Sequence, residues 1–130
     1  MFSGSCHCGQ LRWRFAGAAE SATACNCTIC RRYGALWIYG WEGPEVEITG
    51  ESAIYARGRA IDYHFCPRCG CVAHYRATWE EEPGLRKVAF NIRLIDDPAT
   101  VADLLIDHFD GFDSFDDLPR DGRRVRDLWF

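Results

Sequence analysis

The chain has 130 residues, 48% hydrophobic and 14% aromatic, with a formal net charge of −4; its length suits one domain, residues 1–130, able to bury about two-thirds of its unfolded surface. The acidic balance argues against the backbone of a nucleic acid as partner. The longest uncharged, largely apolar run, residues 33–41, is far short of the ~20 residues of a membrane span, and Met1-Phe2-Ser3-Gly4 lacks the basic and apolar regions of a secretory signal, so a cytoplasmic location is expected.

Short β-type runs follow one another along the chain. Residues 10–15 alternate, with Leu11, Trp13 and Phe15 on one face and Gln10, Arg12 and Arg14 on the other. Residues 35–39 are apolar and aromatic, as a buried strand requires, and Trp37, Tyr39 and Trp41 alternate toward a core or a pocket. Brief runs at 46–49, 53–57 and 62–66 are punctuated by Gly43-Pro44, Gly50 and Gly58. Residues 71–75 continue from a cysteine pair, and 87–94 alternate again through Val88, Phe90, Ile92 and Leu94. Glu80-Glu81-Glu82-Pro83-Gly84 between them reads as a solvated loop. Residues 98–107 open with Pro98 after Asp97 and suit a short helix, with a strand at 104–109 as the alternative. The tail, 111–130, reads as irregular and packed through Phe112, Phe115, Leu118, Trp129 and Phe130. The class is mainly β, with at most one short helix.

The eight cysteines dominate the chemistry. They fall into Cys6-x-Cys8, Cys25-x-Cys27-x-x-Cys30 and Cys66-Pro67-x-Cys69, with Cys71 beyond. Cys66-Pro67-Arg68-Cys69-Gly70 is a zinc knuckle: the spacer turns backbone N–H groups toward the first sulfur, and Gly70 permits the tight turn after the second. Cys6 and Cys8 are natural partners, because in an extended segment residues two apart point the same way. These four close one structural zinc site, a long-range clip for a small β domain. Cys25, Cys27 and Cys30 form a second site with three sulfurs and a vacant position, the arrangement of a catalytic zinc. Cys71, His7, His64, His74 and His108 are the side chains available to fill that vacancy, and Cys71 also reads as a small buried hydrophobe. Disulfides are the competing account; the local clustering, the knuckle glycine and the reducing compartment oppose it.

Taken together, these motifs resemble the glutathione-dependent formaldehyde-activating (GFA) family, which shares its domain with centromere protein V. The residues that carry the resemblance are Gly4-x-Cys6-x-Cys8-Gly9, Cys25-x-Cys27-x-x-Cys30-Arg31-Arg32-x-Gly34-Ala35, Phe65-Cys66-Pro67-x-Cys69-Gly70, Asn91-x-Arg93-Leu94-x-Asp96-Asp97-Pro98 and His108-Phe109-Asp110-Gly111. They span residues 4–111. Cys71 departs from the pattern after the knuckle. The resemblance implies a zinc-stabilised β-tent fold of small twisted antiparallel sheets. It implies two zincs per chain, one structural on Cys6, Cys8, Cys66 and Cys69 and one open on Cys25, Cys27 and Cys30. It also implies carbon–sulfur lyase chemistry on a small thiol–aldehyde adduct such as S-hydroxymethylglutathione, with glutathione as the small thiol partner.

Arg31 and Arg32 directly follow the triplet. They are candidate clamps for glutathione carboxylates, against the plainer reading of an exposed basic pair. Tyr33, Tyr39, His64 and His74 are the candidate general bases. The rival functions are a non-enzymatic zinc-stabilised binding module and a thiol sensor that releases zinc on oxidation.

Overall fold

The computed structural model describes residues 1–129. In chain order the strands are β1 (Phe2–Ser5), β2 (Arg12–Phe15), β3 (Ser21–Cys25), β4 (Trp37–Trp41), β5 (Val46–Thr49), β6 (Ala53–Ala56), β7 (Ile61–Phe65), β8 (Val72–Ala77), β9 (Lys87–Asn91), β10 (Leu105–Asp110) and β11 (Asp116–Leu118). A single helical turn, α1 (Cys30–Tyr33), lies between β3 and β4, and short 3-10 turns occupy Ile92–Leu94, Pro98–Thr100 and Val125–Leu128. The fold is therefore mainly β, as the short alternating runs require.

Two sheets hold the strands, a three-stranded one in the order β1-β2-β5 and an eight-stranded one in the order β11-β10-β3-β4-β9-β8-β7-β6. Every strand pairing is antiparallel except β3 with β10, which run parallel. The core sits between the sheets. Trp13 and Phe15 point inward from β2 while Arg12 and Arg14 face solvent. Both aromatic rings pack on Phe90, at 4.6 and 4.9 Å between centroids. Opposite Trp13 lies Gly4 of β1; a Cβ there would strike the indole and the Leu94 carbonyl, so only glycine lets β1 approach.

The pleat of β7 and β8 gives these strands two different faces. Tyr63 and Tyr75 are cross-strand partners on one face, and His64 and His74 on the other. The histidine rings stack at 4.4 Å with 16° between their planes. The Tyr63 face packs with Trp37, Ile29 and Cys30 as a second apolar cluster.

Three expectations are corrected. The strand expected over 87–94 ends at Asn91, whose side chain accepts from Arg93 N at 3.2 Å and turns the chain into a 3-10 turn. Across 98–107 the helix gives way to the alternative, a strand near 104–109: Asp97 caps a 3-10 turn through Ala99 N at 3.0 Å, buried Val101 anchors it, and the chain enters β10. The tail packs through Val125, Leu128 and Trp129, whereas Phe112, Phe115 and Leu118 are exposed; Phe130 lies outside the described residues.

Candidate metal centres

The first cluster joins two turns of the same design. In one, Cys6 N donates to Leu11 O at 2.9 Å and Gly9 N to Cys6 O at 3.0 Å. In the other, Cys66 N donates to Cys71 O at 2.9 Å and Gly70 N to Cys66 O at 2.8 Å. Gly9 and Gly70 take φ of 83° and 82°, conformations that favour glycine. The sulfurs of Cys6, Cys8, Cys66 and Cys69 all lie within 4.8 Å of one another. Cys8 Sγ is 3.6 Å from Cys6 Sγ and 3.5 Å from Cys66 Sγ, near the ~3.8 Å edge of a tetrahedron with ~2.3 Å metal–sulfur bonds. Backbone N–H groups of Leu11 and Arg68 reach Cys6 and Cys66 at 3.3 and 3.4 Å. The Cys71 and Cys8 N–H groups draw the Cys69 thiol down to about 5. Four sulfurs so placed fit a soft tetrahedral cation without further donors.

The second cluster sits where β3 runs into α1. Arg31 N donates to Cys27 O at 3.2 Å, and Gly34, at φ 65°, ends the turn with its N–H on Cys30 O at 3.0 Å. The turn brings Cys27 and Cys30 to one side, and β3 delivers Cys25. All three sulfurs lie within 4.8 Å of one another. Each accepts an N–H: Cys25 from Cys27 N at 3.5 Å, Cys27 from Cys30 N at 3.3 Å, and Cys30 from Trp37 Nε1 at 3.4 Å. Burial pushes the Cys30 thiol up to about 12 and the Cys25 thiol upward. Burial acts on Cys27 too, but the Cys30 N–H and neighbouring donors outweigh it and leave that thiol below its ordinary value. Gathering three such sulfurs favours a cation that offsets their mutual repulsion, and the donor set suits zinc.

The chain after β10 closes over this cluster. Asn26 N donates to Phe109 O at 3.2 Å, and its side chain bonds Asp110 Oδ1 at 3.1 Å and Phe112 N at 3.0 Å. Asp110 also accepts the N–H groups of Phe112, Asp113 and Ser114, and those of Ser114 and Asp113, with the Asn26 amide, hold its carboxyl well below the usual carboxylate range. Gly111 is pressed against the cluster: an added Cβ would lie 2.8 Å from both Cys25 Sγ and Cys27 Cβ. His108-Phe109-Asp110-Gly111 thus has a local role that its sequence alone does not state.

Cys25, Cys27 and Cys30 line a cavity of about 540 Å³. Trp37, Tyr39, Tyr63, Tyr75, Phe109 and Phe115 supply aromatic walls, and Arg57, Lys87 and Asp117 supply charge. Lys87 Nζ stands 5.3 Å over the Tyr39 ring. Burial raises Tyr39, Tyr63 and Tyr75, so all three stay phenols. Trp37 and Tyr39 prove to be cavity wall, and Trp37 is core as well. Arg31 and Arg32 do not line the cavity: both are exposed, and Arg32 Nη1 donates to Thr28 O at 2.7 Å. No histidine joins either cluster among the described residues, nor does Cys71. His64 and His74 face away from the cavity, and His108 sits 3.2 Å from Asp121. Cys71 is half-buried and packs against the main core.

A cysteine-rich β protein with two metal-ready sulfur clusters, one of them opening on a cavity, is the class that fold and site define. The profile described as glutathione-dependent formaldehyde-activating enzyme matches residues 1–105, and the chain belongs to that family. The fold is similar to that of a Rhodobacter sphaeroides protein known from a crystal structure, with 21% identity, a TM-score of 0.60, and coverage of 80% of this chain and 98% of that one. No curated protein matches the chain. Among the described residues, no helix is long and apolar enough to cross a membrane.

Proposed function

We propose that the chain is a zinc-dependent carbon–sulfur lyase-type enzyme that forms and cleaves a small thiol–aldehyde adduct, S-hydroxymethylglutathione being the adduct its family points to. One observation carries this reading: the three-sulfur cluster forms part of a cavity wall, whereas the four-sulfur cluster is complete without any further donor. A module that only binds a partner has no need of a cavity ending on such sulfurs. We assign a structural zinc to Cys6, Cys8, Cys66 and Cys69 and a second zinc to Cys25, Cys27 and Cys30. Zinc at the second cluster supplies Lewis acidity that keeps a substrate thiol ionised near neutral pH.

The protein's own groups hold and orient the substrate. Arg57 and Lys87 give the cavity two cations, and Asp117 one carboxylate. This set mirrors the two carboxylates and one ammonium of glutathione, so we assign the carboxylates to Arg57 and Lys87 rather than to Arg31 and Arg32. The aromatic walls give the reacting carbon a largely apolar surrounding. Thiolate–metal sites of this kind persist in a reducing compartment, which supports a cytoplasmic location.

Exchange spectroscopy on a mixture of formaldehyde and glutathione tests the reading. Wild-type protein is expected to accelerate exchange between free and adduct carbon, and Cys27→Ser to abolish the acceleration while losing one of two zincs per chain. No acceleration with any thiol adduct would overturn it.

A further inference from the structure

The chemistry of adduct formation needs a group that the two sulfur clusters do not supply. When a thiolate adds to an aldehyde, the sulfur lone pair makes the C–S bond, the C=O pair moves onto oxygen, and that oxygen takes up a proton. In cleavage the hydroxyl proton departs, the C=O bond re-forms, and the C–S pair stays on sulfur. In both directions charge develops on one oxygen, two bonds from the sulfur. A hydrogen-bond donor aimed at that oxygen is where most rate is gained.

Four tyrosines stand near the cavity, and among the described residues Tyr63 is the one whose hydroxyl reaches a sulfur of the cluster. Tyr39 and Tyr75 line the cavity with their rings in edge contact at 6.4 Å, and among the described residues neither hydroxyl bonds a cluster sulfur. Tyr33 packs on Tyr63 at 5.6 Å but does not line the cavity. Tyr63 lines the cavity, and its hydroxyl stands 4.0 Å from Cys30 Sγ, a long contact to a sulfur that already accepts from Trp37 Nε1 at 3.4 Å. Its ring is fixed by Trp37, Tyr33 and Tyr75, at centroid distances of 6.4, 5.6 and 5.5 Å, and is only 5% exposed. The donor is thus held beside the cluster by a long contact to sulfur, weak enough to be given up to an oxygen acceptor, and its fixed ring is the preorganisation such a role needs.

Resting on the function proposed above, we infer that Tyr63 is a catalytic residue whose hydroxyl donates a hydrogen bond to the carbinol oxygen of the adduct as the C–S bond forms or breaks. The proton that the oxygen gains or loses is exchanged with water through the cavity mouth. Tyr63 itself orients and stabilises. The histidines are not available for this task, since His64 and His74 lie on the other face of β7 and β8.

Tyr63→Phe keeps the ring and its packing and removes only the donor. With two zincs per chain retained, kcat is expected to fall about 100- to 1000-fold, with KM changed no more than about threefold. A binding readout is independent of turnover. Wild-type protein should prefer S-(2-hydroxyethyl)glutathione over S-ethylglutathione by roughly 2- to 12-fold, the worth of one neutral hydrogen bond, and Tyr63→Phe should show no preference. An unchanged kcat, equal hydroxyl preference in both proteins, or a fall in zinc content that tracks the activity loss would overturn the assignment. If wild type turns over no adduct, the proposed function fails, and the binding preference then decides Tyr63 alone.

Discussion

The two sulfur clusters are built from the same donors and differ in what surrounds them. The first joins chain segments some 60 residues apart and is rooted in the main core through Cys6 and Cys66, 1% and 0% exposed, while Cys8 and Cys69 stand toward solvent. The second draws all its ligands from six consecutive residues and opens on the aromatic cavity. Ligand count alone would rank them as complete and incomplete. Their settings add that the first ties the fold together, while the second rides on a strand and a helical turn that the fold already holds. Stability should therefore depend on the first cluster and chemistry on the second.

The sharpest way to break this contrast is to remove one sulfur from each. Cys66→Ser should leave no cooperative thermal transition by circular dichroism, because structural zinc contributes about 10–16 kcal/mol in small domains against a total stability of about 5–15 kcal/mol. Cys27→Ser should keep a cooperative transition. Equal melting behaviour of the two variants would erase the distinction. A smaller perturbation addresses the second cluster from outside. Gly111→Ala presses a methyl onto Cys25 and Cys27, so it should destabilise by about 1–3 kcal/mol. One zinc should also be lost to a mild chelator faster than from wild type, while the other is held as before. Colorimetric zinc release would read this directly.

The smallest effect concerns the core face of β7 and β8, opposite the cavity. His74 is 1% exposed, and neither ring nitrogen has a hydrogen-bond partner among the described residues. Burial, with His64 and Arg76 nearby, pushes it down to about 2. Its folded value thus lies below the ~6.5 of an unfolded histidine, so the unfolded chain binds the proton first. The contribution is full above that value and is lost as pH falls below it. Between pH 7.5 and 5.5, wild type should lose on the order of 1 kcal/mol more than His74→Leu. Urea titrations of both proteins at the two pH values would measure the difference, and parallel losses would remove His74 from the account.

Much of this was legible in the chain. The cysteine spacing grouped seven sulfurs as the structure does, because pairs set by local turns are written in nearby residues. The alternation in β2 marked a strand with one buried face. What escaped notice was non-local. β1 and β3 are made of small residues, Phe2-Ser3-Gly4-Ser5 and Ser21-Ala22-Thr23-Ala24-Cys25, which carry little strand signal of their own. β3 is a strand because β10 pairs with it, Ser21 opposite Leu105. The same holds at the cavity. Arg31 and Arg32 neighbour the triplet in sequence, yet the turn of α1 leaves them in solvent; Arg57, just past the end of β6, and Lys87, the first residue of β9, reach the cavity, and no motif marks them. Tyr63 went unnamed for a like reason: a tyrosine inside Ile61-Asp62-Tyr63-His64-Phe65 has nothing to distinguish it until pairing fixes its face.

Strand β7 has one more consequence. It carries Tyr63 to the cavity and ends at Phe65, one residue before Cys66 of the closed cluster. A shift of register between His64 and Phe65 lets the two tasks sit side by side: Tyr63 keeps its place opposite Tyr55 and Tyr75 while the chain beyond turns into the closed cluster. On the zinc assignment proposed above, metal loading should follow an order, the ion that ties the fold together first and the ion at the cavity second. A cell short of zinc would then accumulate folded but idle protein, ready to be switched on by a second equivalent without refolding.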